Sequence, residues 1–114
     1  MTFELRESKN IIIVAVEGQV RISTQNEFKD YLDMLYQKYG SGVVLLDMQR
    51  VTYMNSAAIG IIVDTFKNFR DNDGRLVLSG LTPDIAKLFE VTKLNRFIEI
   101  YADVGDAELK LVNN

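Results

Sequence analysis

The chain has 114 residues, 47% of them hydrophobic, which is enough for one domain with a substantial core. Its 13 Lys and Arg stand against 16 Asp and Glu, a net charge of −3, so it offers no basic footprint for nucleic acid or an anionic membrane. The absence of Cys and His removes thiol nucleophiles, imidazole bases, disulfides and the usual zinc ligands together, and with them most familiar enzyme mechanisms.

Residues Met1 to Glu7 lack a charged-then-apolar leader pattern, and the longest apolar run is Ile11 to Val16, so residues 1–114 read as one cytoplasmic domain. Phe3 and Leu5 alternate with polar residues as in an outer strand, which a turn at Lys9-Asn10 would join to the next. Ile11 to Val16 is a β-branched run of the kind buried on both faces of a sheet, and Gly18 is expected to end it. From Thr24 the period changes. Phe28, Tyr31, Leu32, Leu35, Tyr36 and Tyr39 form one helical stripe that stops at Gly40, with Ser23 or Thr24 capping its start. Gly42 to Asp47 is a second buried strand.

Met54-Asn55-Ser56-Ala57-Ala58-Ile59-Gly60 marks a hand-over from strand to helix and puts Ser56 at a helix N-terminus. Such a terminus holds unpaired N–H groups and the positive end of the macrodipole, so it accepts a capping hydroxyl or a phosphate equally well. Ile59, Ile62, Val63 and Phe66 are the expected core stripe of this helix, and Ala57, Ile61, Asp64 and Asn68 lie opposite, with Ile61 exposed. Asp71-Asn72-Asp73-Gly74 turns into a strand over Arg75 to Ser79, and a right-handed parallel crossover follows. Thr82-Pro83-Asp84 opens the next helix, with Ile85, Leu88 and Phe89 inward; Phe97 to Tyr101 reads as a last short strand and Asp103 to Leu111 as a terminal helix. The pattern is a single α/β domain, a mixed but mostly parallel sheet packed with about four helices.

A small, partly apolar outer face beside a helix-start serine suits docking, and phosphorylation would bring roughly −1.5 to −2 charges into it. Val51 to Gly60 resembles the signature of anti-sigma factor antagonists, bacterial members of the STAS domain family, in which Asp-Ser-Ser/Thr-Gly-Leu-Gly follows a strand and the first Ser is phosphorylated. The likeness runs through the Gly18 segment, the Val43 to Asp47 strand, the Gly74 turn into Leu76-Val77-Leu78, and Pro83 through Leu88-Phe89-Glu90-Val91-Thr92-Lys93-Leu94. It implies a STAS-like fold, no cofactor, and partner switching. The unphosphorylated protein would bind a kinase-type anti-sigma factor, and phosphorylation of Ser56 would break the complex. Arg21, Ser23, Asn55, Ser56, Ala57, Ile61 and Asp64 are the expected partner-binding residues.

The chain departs from that signature at four positions. Asn55 stands for the usual Asp, Ala57 for Ser or Thr, Ala58 for Gly, and Arg21 for a second acid after Gly18. Asn55 can still cap the helix through its amide oxygen. Arg21 is open to two roles, weakening recognition by a kinase or pairing with a phosphate on Ser56. Loss of both acids favours a second reading, a STAS scaffold or assembly subunit of a signalling or transport complex that is not phosphorylated. Nucleotide hydrolysis ranks last, because no phosphate loop or base is present. Asp47 with Asp64 does not make a metal or acid–base pair, Lys87, Lys93 and Arg96 read as a solvated basic cluster, and Gly18 and Gly74 as turn residues.

Overall fold

The computed structural model describes residues 1–112. In chain order its elements are β1 (Thr2–Ser8), β2 (Ile11–Val20), α1 (Gln25–Tyr39), β3 (Val43–Met54), α2 (Ser56–Asp71), β4 (Arg75–Ser79), α3 (Pro83–Val91), a 3₁₀ turn (Leu94–Arg96), β5 (Ile100–Tyr101) and α4 (Val104–Val112). The five strands lie in sequence order, β1 antiparallel to β2 and the remaining pairs parallel. Lys9 and Asn10 both adopt positive φ, the primed hairpin turn whose twist matches that of the strands it joins.

Successive strand residues point to opposite faces, so each continuous apolar run supplies two cores. Val14, Leu46 and Leu78 face α1, α2 and α3 and pack with Phe28, Leu32, Ile62, Phe69, Ile85 and Phe89. Ile13, Leu45 and Val77 face the other way and meet Ala107 and Leu111 of α4. Both β2 and β3 outrun the lengths expected from the sequence. Gly18 does not end β2; at φ 131° it takes part in a bulged stretch where the register against β3 shifts, and the strand continues to Val20. Beyond Asp47, β3 pairs only with β2, and this two-stranded extension carries the chain to Asn55 and α2.

The inward stripe of α2 is Ala58, Ile62, Thr65 and Phe69, rotated from the expected Ile59/Ile62/Val63/Phe66. Small side chains at Ala58 and Thr65 let the helix sit close, and the Thr65 hydroxyl donates to the Ile61 carbonyl at 2.7 Å, so its burial leaves no orphan donor. Ile59, Val63 and Phe66 are half-buried on one flank; Ile61, expected to be exposed, is half-buried against the core. Leu88 points outward, leaving Ile85 and Phe89 as the buried residues of α3. The last strand shrinks to Ile100–Tyr101 because Leu94–Arg96 close a 3₁₀ turn that leaves Phe97 on the surface.

Thr24 and Thr82 stand at the starts of α1 and α3 without capping them through their hydroxyls. Thr24 is the residue before α1, but its hydroxyl donates to Gln19 O and accepts from Arg21 N–H. The Thr82 hydroxyl is buried without a partner among the described residues, and the Thr82 carbonyl takes the Ala86 N–H at 2.8 Å. Gly74 does more than turn. Asp73 supplies the left-handed residue, at φ 61°, and Gly74 sits buried against the backbone of Gly40 and Gly42.

Across β4 and β5, the Arg75 guanidinium donates to both Glu99 carboxylate oxygens at 2.6 and 2.7 Å, and the Tyr101 hydroxyl donates at 2.8 Å. Burial pushes the Glu99 carboxyl up, but the Arg75 and Tyr101 hydrogen bonds outweigh it and hold Glu99 below its ordinary value of 4.5. A depressed folded pKa contributes stability above the unfolded value, lost as pH falls through the folded one. The pair is partly solvated, so the contribution is about 0.5 kcal/mol. Glu99→Gln is therefore expected to lose less stability than wild type between about pH 5 and about pH 3 in denaturant titrations. Equal acid sensitivity would count against the ion pair.

Candidate functional site

Three chain segments converge where β2 and β3 end. The Asn55 N–H donates to Val20 O at 3.0 Å, tying the start of α2 to the end of β2. The Asn55 side chain then works in two directions: Oδ1 accepts from Ala58 N–H at 3.0 Å, and Nδ2 donates to Gln25 Oε1 at 2.9 Å. The first is the helix cap; the second links the beginnings of α2 and α1. Asn55→Ala is expected to cost about 1 kcal/mol in unfolding experiments, whereas Asn55→Asp keeps the cap, gains at the helix dipole and needs only the Gln25 amide to turn and donate in place of accepting, remaining within about 0.5 kcal/mol of wild type. An alanine variant as stable as wild type would show the cap to be idle.

With Asn55 as cap, Ser56 occupies the first helical position. It is exposed, and its hydroxyl makes no hydrogen bond among the described residues. The expectation of a helix-start serine holds, but not that of a serine cap. A phosphate placed there would meet the first-turn N–H groups and the positive end of a helix of 16 residues.

Arg21, Ile22, Ser23, Tyr53 and Asn55 line one surface depression of about 480 Å³. Arg21 Nε–H donates to Gln19 Oε1 at 2.5 Å, and its guanidinium lies 5.2 Å from the centre of the Tyr53 ring. Thr24 braces the loop from within through Gln19 O and Arg21 N–H. Sequence reasoning named Arg21, Ser23 and Asn55 but missed Ile22 and Tyr53, the apolar part of the same surface. Ile22 is 87% exposed. The signal was available: an isoleucine between Arg21 and Ser23 that belongs neither to the strand alternation before it nor to the helical stripe after it.

Ala57 lies beside Ser56 in the first turn of α2 and is half-buried. Ile61 and Asp64 lie farther along the helix, on the flank that faces α1. Asp64 is exposed and interacts electrostatically with Lys29 of α1, whose ammonium is held above its ordinary value chiefly by its hydrogen bond to Asp33. The site residues thus divide into a cluster around Asn55 and a second line about 8 to 12 Å along α2. Asp47 and Asp64 do not converge: Asp47 continues the Leu45 face of the sheet, covered in part by α4, while α2 packs on the other.

The STAS domain family model matches residues 2–107. This chain belongs to the STAS domain family. The STAS domain is 34% identical over 101 residues to a Listeria monocytogenes protein named anti-sigma-B factor antagonist, covering 88% of each chain. In architecture it is similar to a putative anti-sigma factor antagonist from Thermotoga maritima, with a TM-score of 0.84 and 18% identity over 98% of this chain and 95% of the other. The phosphorylated form of the Bacillus cell fate determinant SpoIIAA gives a TM-score of 0.72 and 15% identity over 96% of this chain and 99% of the other. At those identities the two structures speak for the fold, an α/β STAS fold with a five-stranded mixed sheet.

Proposed function

We propose that this STAS domain is an anti-sigma factor antagonist that works by partner switching. Unphosphorylated, it binds a kinase-type anti-sigma factor through the Arg21–Ser23 loop and the start of α2; phosphorylation of Ser56 releases it. The observation that carries the reading is the position of Ser56. Its hydroxyl is exposed and free of any capping duty, which Asn55 performs, so a phosphate can be added without breaking a bond of the fold. It would add roughly two negative charges beside an apolar surface that must be desolvated in a complex. The name of the Listeria relative supports the same role.

In this reading Ile22 and Tyr53 supply the apolar contact, Arg21, Ser23, Asn55, Ser56 and Ala57 surround it, and Ile61 and Asp64 extend it along α2. Titration calorimetry with candidate kinase-type anti-sigma factors tests it. Ser56→Ala is expected to bind like wild type and Ser56→Asp about tenfold or more weakly. If both variants bind every partner like wild type, Ser56 is not the switch.

One observation favours a second reading. Asn55 and Arg21 replace two acids of the family signature, and both side chains are already engaged, Asn55 with Gln25 and Arg21 with Gln19 and Tyr53. A STAS scaffold or assembly subunit that is never phosphorylated would tolerate those changes. Intact-mass measurement after incubation with kinase and ATP separates the two, because the scaffold gains no phosphate.

A further inference from the structure

The apolar arc of α2 extends past its fully buried stripe to residues that pack on the core with one side only. Its inward stripe is complete with Ala58, Ile62, Thr65 and Phe69, yet Val63 and Phe66 add a second apolar line on the flank away from α1. Together with Leu94, Phe97 and Ile98 they line a groove of about 300 Å³, with room for a bulky apolar side chain. Phe97 stands at its edge and is 69% exposed.

Two cations line the groove and two more lie next to its lining residues in the chain. Lys67 and Arg70 line it directly, Arg70 lying 5.9 Å from the Phe66 ring centre and paired at 3.2 Å with Asp71. Lys93 and Arg96 flank Leu94 and Phe97 along the chain. Lys67, Lys93 and Arg96 have no carboxylate within ion-pair distance among the described residues. Concentrated cations on a chain of net charge −3 mark this surface off from the rest. A groove-to-groove pairing of two copies would set those cations against each other, which argues against a symmetric dimer here.

We infer that the groove between the second half of α2 and the Leu94–Ile98 segment docks a short acidic segment of another protein, with an apolar anchor beside Phe97 and carboxylates toward Lys67, Lys93 and Arg96. The site is independent of the switch: Phe66 lies ten positions beyond Ser56, about 15 Å along the helix. A domain with two such surfaces can be held by one protein while it exchanges another.

Selection of displayed random peptides of about 15 residues against the folded domain tests this. Enriched peptides are expected to be acidic and to carry clustered apolar residues. Their amide shift changes are expected at Val63, Phe66, Lys67, Leu94, Phe97 and Ile98. Phe97→Asp, and separately Lys67→Glu with Arg96→Glu, are expected to weaken binding about tenfold or more, because each exposed group can change without unfolding the domain. Ser56→Asp and Ile22→Asp are expected to leave it unchanged. The inference is overturned by no enrichment, by peptides without acidic bias, or by shifts that map elsewhere. It is also overturned if Phe97→Asp converts a dimer to a monomer in sedimentation, or if vesicles rich in phosphatidylglycerol bind the groove as tightly as the selected peptides.

Discussion

Ile22→Asp is expected to weaken binding to a kinase-type anti-sigma factor by about a hundredfold while leaving thermal stability unchanged. The side chain is 87% exposed and lies outside both core clusters, so the free domain loses almost nothing by its replacement. The same side chain lines the depression formed with Arg21, Ser23, Tyr53 and Asn55, the surface proposed to meet the partner. An aspartate there must be stripped of water when an apolar partner surface covers it. Loss of an apolar anchor and burial of a charge act in the same direction. Comparison with Ser56→Ala separates surface damage from switching, because the alanine variant removes the acceptor hydroxyl and leaves the apolar contact intact. If Ile22→Asp binds within about twofold of wild type, the interface lies elsewhere on the domain.

Gly74→Ala is expected to destabilise the domain by about 3 kcal/mol. A Cβ at this position would run into the Gly40 carbonyl oxygen and come within 2.9 Å of both Gly40 C and Gly42 O. All of these are backbone atoms, so no side chain can swing aside. The surroundings are tied as well: Gly74 N–H donates to Phe69 O at 2.7 Å and Arg75 N–H to Gly42 O at 2.9 Å. The turn that leaves α2 and the turn that leaves α1 are stacked in direct contact, and any displacement of one is transmitted to the register of β3 against β4. A fall in melting temperature of roughly 12 °C would correspond to this loss. Melting within about 2 °C of wild type would show that the two turns can separate freely.

Much of the fold is legible in the residues because local signals and burial agree. Ile11 to Val16 is apolar at every position since α1 to α3 cover one face of the sheet and α4 part of the other. The stripe ending at Gly40 gives α1 nearly to the residue, and Thr82-Pro83 marks the start of α3. Failures occur where packing, not periodicity, decides. A hydrophobicity pattern ranks Ile59 and Phe66 above Ala58 and Thr65, but α2 turns Ala58 and Thr65 toward the core beside Ile62 and Phe69 and leaves Ile59 and Phe66 on its flank. The start of α2 was legible from Asn55-Ser56, yet the second hydrogen bond of Asn55 goes to Gln25, 30 positions away, which no local pattern can reveal. Tyr53 lines the depression with Arg21 and Ile22 only because β3 continues past Asp47 as a two-stranded extension.

The loop bearing Ile22 and the helix start bearing Ser56 are fastened before any partner arrives. Gln19, Thr24, Val20 and Gln25 hold them from beneath through hydrogen bonds of 2.6 to 3.0 Å. Little backbone freedom remains to be lost on association, so the ordering penalty of complex formation falls mainly on a few side chains. For the proposed complex, affinity would then depend on the fit and charge of a surface already held in place. In the proposed switch, the lifetime of the complex would be the quantity that a single phosphate alters, without any need to remodel the domain that carries it.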